Sequence, residues 1–421
     1  MRQFSANIYP SICPTFRFTN IMSCLDSALN IEDLRRLAHR RVPAFAMAYV
    51  EAGAEDRVSL QHNRDVFQRW QFVPDALIDA EHRSLGVDIL GAPAERPFIV
   101  APTGFNGMLY HRADVLLAQA AAQAGIPFTL STMSNAAMEE VAQAAPGLRF
   151  WYQLYMFKDA GINRDLVRRA DAAGSEALVF TVDCQHFGNR ENERRYFRGP
   201  MQLSLKSMLN AACHPAWAAN IVGGARGVPG FGNLAGYFSA EDRAGRGSRF
   251  IAEKLHMGLR WADLEWLRET WPRKLVVKGI LTAADARRAI RLGADAVVLT
   301  NHGGRQLDGC VSPMDVLEEI HAACGNEAEI FIDSGFRRGT DIAKALALGA
   351  QAVMLGRPLL YGAGAAGRAG IDKALDILTS ELSRTLAQLG VPNIAGLEKR
   401  HVRRQPLFRS DDTSDGTGQK R

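Results

Sequence analysis

Lys274-Leu-Val-Val-Lys278, then Thr282-Ala-Ala-Asp285, then Asp295-Ala-Val-Val-Leu-Thr300 form one strand–helix–strand unit. The two apolar runs are short and continuous, as expected of strands buried on both faces. Thr282 with Asp285 three positions later is close to a capping box and opens the helix between them. Directly after the second run stands Asn301-His-Gly-Gly-Arg-Gln-Leu-Asp308. A histidine and an arginine are thereby placed on a glycine-softened loop just past a strand end. Imidazole can accept a proton near neutral pH, and guanidinium can grip a carboxylate with two parallel hydrogen bonds. The two glycines let the backbone turn sharply or approach a ligand closely. Alone, His302 and Arg305 could equally be surface residues on a polar turn.

The same unit recurs in both directions along the chain. Strands are expected at 97–102, 127–130, 149–155 and 177–182, then at 274–278, 295–300, 330–333 and 352–355. Helices are expected at 113–124, 136–142 and 163–173, after Thr282, after Ser312-Pro313, from Thr340, and from Ile371 onward. Before them, Asn30 caps a helix running to Arg40, and Pro43 suits the first turn of a second helix ending at Gly53. Eight such units predict a closed parallel (β/α)8 barrel, a TIM barrel, with N-terminal helices and a long insert after the fourth strand. A doubly wound open sheet is the competitor. The expected division is a disordered extension at 1–29, the barrel at 30–395 with its insert at 200–255, and a polar tail at 396–421.

Barrel enzymes build their sites at the C-terminal ends of the strands. Those positions hold Pro102-Thr103-Gly104, Ser131-Thr132, Gln153-Leu154-Tyr155, and Thr181-Val182-Asp183 with Arg190 beyond. Then come Lys278, Thr300 with His302 and Arg305, Asp333 through Arg337, and Gly356-Arg357. A purely structural barrel has no need of polar residues at all eight ends. Lys278 is the sharpest of them, since a buried unpaired lysine is costly. Gly335, Arg337, Gly356, Arg357 and the helix from Thr340 suggest an anion site of the kind barrels place after strands seven and eight.

Composition sets broad limits. The chain has 421 residues, 47% of them hydrophobic, which suffices for a large core. A net charge of +5 suits an anionic substrate or an acidic membrane surface and makes no case for nucleic acid. The six cysteines contain no Cys-x-x-Cys, so neither a disulfide framework nor a metal site is expected, and a reducing compartment fits.

Asn301–Asp308, Asp333-Ser-Gly-Phe-Arg-Arg-Gly-Thr-Asp341, Gln153-Leu-Tyr155 and Val277-Lys278-Gly279 closely resemble motifs of the FMN-dependent α-hydroxy-acid dehydrogenases and oxidases. The resemblance spans about 31 to 392. Within the family it favours the bacterial (S)-mandelate dehydrogenases, through Asn63-Arg-Asp-Val-Phe-Gln68, Leu130-Ser-Thr132 and Ala345-Leu-Ala-Leu-Gly349. Quinone-type L-lactate dehydrogenases, which share His214-Pro-Ala-Trp217, come next. The resemblance implies oxidation of an (S)-2-hydroxy acid to the 2-oxo acid, with FMN as cofactor. By the same likeness His302 is the base, Asp183 its partner, and Arg190 and Arg305 the carboxylate-binding cations, assisted by Tyr49. Tyr155 orients the substrate, and Lys278 lies near the flavin N1–C2 carbonyl. Pro102, Thr103, Gly104, Ser131, Gln153, Thr181 and Thr300 match flavin contacts; Asp333, Gly335, Arg337, Gly356 and Arg357 match positions around the ribityl chain and phosphate.

Two details bear on substrate and oxidant. Gly104 resembles dehydrogenase-like members, where oxidases tend to carry Ala, and so points to a quinone or other carrier as electron acceptor. Met133 replaces a bulky aromatic of glycolate oxidases, and its adaptable side chain suits an aryl or longer 2-hydroxy acid. In the bacterial dehydrogenases that the chain resembles, the insert anchors the enzyme on the inner face of the cytoplasmic membrane; a lid over the site is the other reading of a loop this long. The resemblance also implies a homotetramer. Rival classes are an FMN-barrel isomerase, which has no use for His302 beside two arginines, and a dead scaffold, which need not keep His302, Lys278 and Arg305.

Overall fold

The computed structural model describes residues 21–405, except 200–201, 224–229, 240–241 and 243–247. Its centre is a closed barrel of eight parallel strands. In chain order these are Phe98–Val100, Phe128–Ser131, Phe150–Leu154, Ala177–Thr181, Lys274–Ile280, Ala296–Leu299, Glu329–Ile332 and Ala352–Leu355. The fourth pairs with the fifth across the insert, with Val179 opposite Val276, and the eighth closes on the first, with Met354 opposite Ile99. The (β/α)8 expectation therefore holds, and the open sheet is excluded.

Strand alternation explains how the barrel carries a site. Trp151, Val179, Val276, Val298, Phe331 and Met354 pack together as the buried barrel interior. Two residues further along five of these strands, on the same face, come Gln153, Thr181, Lys278, Thr300 and Asp333, all buried. Each of these five strands thus ends its apolar inward face with one polar group at the mouth. The opposite end is plugged by the antiparallel hairpin Val87–Ile89 and Ala92–Ala94, whose Ile89, Leu90 and Ala94 join the interior cluster. Sequence periodicity gave no sign of that hairpin.

The outer ring departs from expectation in places. Asn30 does cap the helix Ile31–Arg41, its side chain accepting from the amide of Asp33. The helix expected from Thr340 is Gly339–Ala347, opened by Arg338 with Asp341. After the eighth strand there are two helices, Arg357–Ala366 and Arg368–Leu389, where one from Ile371 was expected. Expected disorder at 1–29 is corrected for its last part. Ile21–Asp26 is a helix, with Leu25 and Ala28 buried in the main core; residues 1–20 lie outside the described residues. The tail from 396 is likewise ordered at its start, because Val402–Arg404 pairs antiparallel with Trp70–Phe72. Residues 406–421 lie outside the described residues.

Candidate active site

The loop after the sixth strand owes its shape to three consecutive left-handed residues, His302 (φ 58°), Gly303 (φ 66°) and Gly304 (φ 72°). Such a conformation at a non-glycine residue stores strain and needs surrounding support. The Thr300 hydroxyl accepts from the His302 amide at 2.9 Å, Ser334 Oγ from Gly303 at 3.0 Å, and Asn301 Oδ1 from Gly304 at 3.1 Å. The glycines serve close packing against the protein itself: a Cβ on Gly304 would lie 2.6 Å from the Leu60 amide nitrogen.

The result is a directed imidazole. His302 Nδ1 lies 3.0 and 3.2 Å from the two carboxylate oxygens of Asp183. Burial would push the imidazole down, but the neighbouring Cys184 and Asp183 outweigh it and raise His302 to about 9. Burial would likewise raise Asp183, yet His302 and Lys278 hold it below the ordinary carboxylate range. Cys184, which sequence reasoning did not single out, sits with Sγ 3.5 Å from His302 Nδ1 and takes a hydrogen bond from Gln306 Nε2 at 2.8 Å. Among the described residues, Asp183, Cys184 and His302 are also the one group whose ligand atoms lie close enough to hold a metal.

Arg305 is fixed from behind. Its Nη1 donates to the Tyr49 carbonyl at 2.6 Å, and its guanidinium lies 4.9 Å from the Tyr49 ring centroid. Arg190 Nε donates to the Arg305 carbonyl at 3.3 Å. Burial and the neighbouring Arg190 pull Arg305 down to about 10; burial and Arg305 pull Arg357 down to about 9. Guanidinium stays charged in proteins, so these shifts describe buried positive charge short of counter-ions. Glu193, also missed, brings its Oε2 to 3.8 Å from Arg190 and 4.0 Å from Arg305. Burial pushes the phenols of Tyr49 and Tyr155 up, leaving both as neutral donors.

Lys278 is buried and paired, with Nζ 2.9 Å from Asp333; the sequence had left it unpaired. Burial alone would depress it, but Asp333 and Asp183 raise it above its usual value. A cavity of about 360 Å³ connects these groups, within the range of small-molecule sites. Tyr49, Pro102, Thr103, Gly104, Ser131, Met133, Tyr155, Arg190, Lys278, His302, Arg305, Asp333, Gly335, Arg337, Gly356 and Arg357 line it. Gln153, Thr181, Thr300 and Asp183 stand behind that wall. Gln153 Nε2 and Thr181 Oγ1 are buried without any hydrogen-bond partner, which is costly unless a ligand supplies one.

The expected anion site is rearranged. The helix Gly339–Ala347 has its first amides taken by carboxylates: Gly339 donates to Glu381 at 2.7 Å, and Arg337 and Arg338 to Asp341 at 2.9 and 3.1 Å. Gly335 is left-handed (φ 94°), and a Cβ there would also strike the Asn63 carbonyl, so the position takes only glycine. The Arg357 guanidinium donates to the carbonyls of Val50, Gly303 and Ala52. Three of its five N–H donors are used in this way, and Gly335, Arg337, Gly356 and Arg357 all line the cavity.

A family model described as FMN-dependent dehydrogenase matches residues 38–404. The chain belongs to that family. FMN-dependent dehydrogenases and oxidases of 2-hydroxy acids are accordingly its relatives, and FMN is the family's cofactor. The chain is 43% identical to (S)-mandelate dehydrogenase of Pseudomonas putida over 378 residues, 89% of this chain and 94% of that one. It is 40% identical to an L-lactate oxidase of Nostoc over 382 residues, 90% of this chain and 98% of that protein. Among solved structures, a monotopic membrane protein (S)-mandelate dehydrogenase superposes with a TM-score of 0.85 at 42% identity, covering 90% of this chain and all of that one at 100%. A mandelate oxidase gives 0.76 at 32% identity, with 90% and 98% covered. The orphaned Gln153 and Thr181 groups, buried Lys278 and the cavity beside them fit a flavin of this family.

Proposed function

We propose that the protein oxidises an (S)-2-hydroxy acid with an aryl or longer side chain, mandelate-like, to the 2-oxo acid. One observation carries this reading: His302, Arg190 and Arg305 converge on a cavity whose lining also includes Tyr49, Phe105, Met133, Tyr155 and Phe231. Arg305 and Arg190 take the carboxylate, displacing Glu193. Tyr155 and Tyr49 donate to substrate oxygens and orient the carbon that reacts. With Nδ1 engaged by Asp183, His302 offers Nε2 to the substrate and accepts the hydroxyl or α-carbon proton there. Asp183 stabilises the imidazolium that results. FMN, when bound, supplies a two-electron acceptor. Lys278 would hold its N1–C2 region, where negative charge accumulates on reduction; Gln153 and Thr181 would satisfy its ring edge. Thr103, Ser131 and Thr300 complete the ring site, and Arg337 with the Gly356–Pro358 helix start would take the phosphate.

Gly104 supports a dehydrogenase that hands electrons to a quinone or other carrier. A Cβ there would lie 2.9 Å from Met133 Cβ, so the position is closed to Ala without movement. Attachment to the inner face of the cytoplasmic membrane belongs to the same reading. On the insert helix Leu205–Ala212, Leu205, Met208 and Leu209 are 57%, 48% and 63% exposed, an apolar stripe at helical spacing. No helix among the described residues is long and apolar enough to cross a membrane. A homotetramer completes the reading, with exposed Val58, Leu307 and Val311 as a candidate contact.

Anaerobic mixing of purified protein with (S)-mandelate, L-lactate and glycolate tests the function. Flavin absorbance should bleach, fastest with mandelate. A colourless protein that cannot be reconstituted with FMN would overturn the reading, and equal turnover of glycolate and mandelate would overturn the aryl preference.

A further inference from the structure

The insert does more than leave the barrel and return, because Gly230–Asn233 is bound firmly to the rim of the cavity. Asn233 is fully buried and every polar atom of its side chain is engaged. Its Oδ1 accepts from the Met138 amide at 2.8 Å, at the start of the helix Met138–Ala144, whose own cap residue Ala137 has no side chain to offer. Its Nδ2 donates to the Ser131 carbonyl and to Ser134 Oγ, both at 3.1 Å. Arg169 Nη1 donates to the Asn233 carbonyl at 2.8 Å. Next to it, the Gly232 amide donates to the Ser134 carbonyl at 3.0 Å. Gly232 also lies so close to the Ala136–Ala137 backbone that a Cβ would meet it at 2.4 Å. Asn135 Nδ2 holds the Gly230 carbonyl at 2.7 Å.

These bonds fix Phe231, which is 2% exposed and lines the cavity. Its ring stands edge-on to Phe105, centroids 4.5 Å apart at 70°. Phe105 stands edge-on in turn to Tyr49, at 5.7 Å and 76°. Behind Phe231, Phe238 at 6.3 Å and Phe250 beyond it at 5.2 Å from Phe238 keep the ring from retreating. A wall of aromatic rings braced edge to face favours a flat aryl group over a methyl.

We infer that Phe231, seated by Asn233, is the residue through which the insert selects 2-hydroxy acids with an aromatic side chain. Asn233 is a positioning residue that ties this wall to the Ser131–Met133 loop. The inference rests on the 2-hydroxy-acid activity proposed above and adds the group that reads the side chain.

The test uses the FMN-loaded full chain with Phe231→Ala, Phe231→Leu and Asn233→Asp. Wild-type bleaching by any 2-hydroxy acid tests the activity; the change in aryl-to-alkyl preference between variant and wild type tests Phe231, so either can fail without the other. The kcat/KM ratio of (S)-mandelate to L-lactate should fall roughly tenfold or more in Phe231→Ala, with an intermediate fall in Phe231→Leu. Asn233→Asp keeps the acceptor but loses the Nδ2 donation, and should raise KM for mandelate more than for lactate. Where turnover is too slow to measure, binding of phenylacetate against acetate, read as a shift of the flavin spectrum, gives the same ratio. An unchanged ratio in Phe231→Ala with flavin retained would overturn the inference.

Discussion

His302 presents Nδ1 to Asp183 at 3.0 Å, and that one contact leaves Nε2 as the nitrogen free to take a proton. Asp183→Asn removes the charge without removing the shape. We expect kcat to fall at least a hundredfold, roughly, with flavin content unchanged. His302→Gln should keep the flavin and abolish bleaching. Retention of near wild-type kcat in either variant would refute the assigned pair.

The base works deprotonated, and the groups beside it hold its proton up to about 9. Below that pH, kcat/KM should rise roughly tenfold per unit and then level. Asp183→Asn removes one of the two neighbours that raise His302, so the rise in that variant should move to lower pH. A rate profile flat from about pH 6 to 10 would contradict this assignment.

Arg305 already spends Nη1 on the Tyr49 and Ala52 carbonyls, so its remaining donors face the cavity in a fixed direction. Arg305→Met should lower kcat/KM by about 3 kcal/mol, roughly a hundredfold, mostly through KM. Arg305→Lys should recover little of that, because lysine lacks the fork. Steady-state kinetics with saturating acceptor give the split.

Lys278 and Asp333 form a buried pair at 2.9 Å. Lys278→Met strands the carboxylate and should destabilise the fold by about 3–5 kcal/mol. Thermal melting should show a lower Tm, accompanied by weaker flavin retention. Lys278→Met melting like wild type would mean that Asp333 finds another partner.

Leu205, Met208 and Leu209 stand about half exposed on the insert helix among the described residues. Replacing all three with Ser should shift the enzyme from the vesicle-bound to the free fraction in sedimentation with anionic lipid vesicles, while bleaching by substrate persists. Equal partitioning of variant and wild type would remove the membrane from the reading.

Much of the site was legible because strand alternation is a local rule. Gln153, Thr181, Lys278, Thr300 and Asp333 each follow an inward apolar residue by two positions, so the chain alone places them at the barrel mouth. The roles of Gly304 and Gly335 were not legible. Both looked like ligand-facing glycines, and both are glycine because the backbone of the 58–65 helix passes against them. Cys184, Glu193 and Phe231 were missed because the groups that give them a role, His302, Arg305 and Phe105, come from distant segments.

The amino-acid sequence by itself determined the eight strand–helix units, the barrel and the identity of the groups at its rim, since each depends on spacing within a few residues. Tertiary structure alone decided the pairing of Lys278 with Asp333, the Asp183–His302 orientation and the seating of Phe231 by Asn233. Those contacts join residues 55, 119 and 102 positions apart or tie the insert to a distant loop. Ion pairing and packing depend on distance in space, which no local pattern encodes.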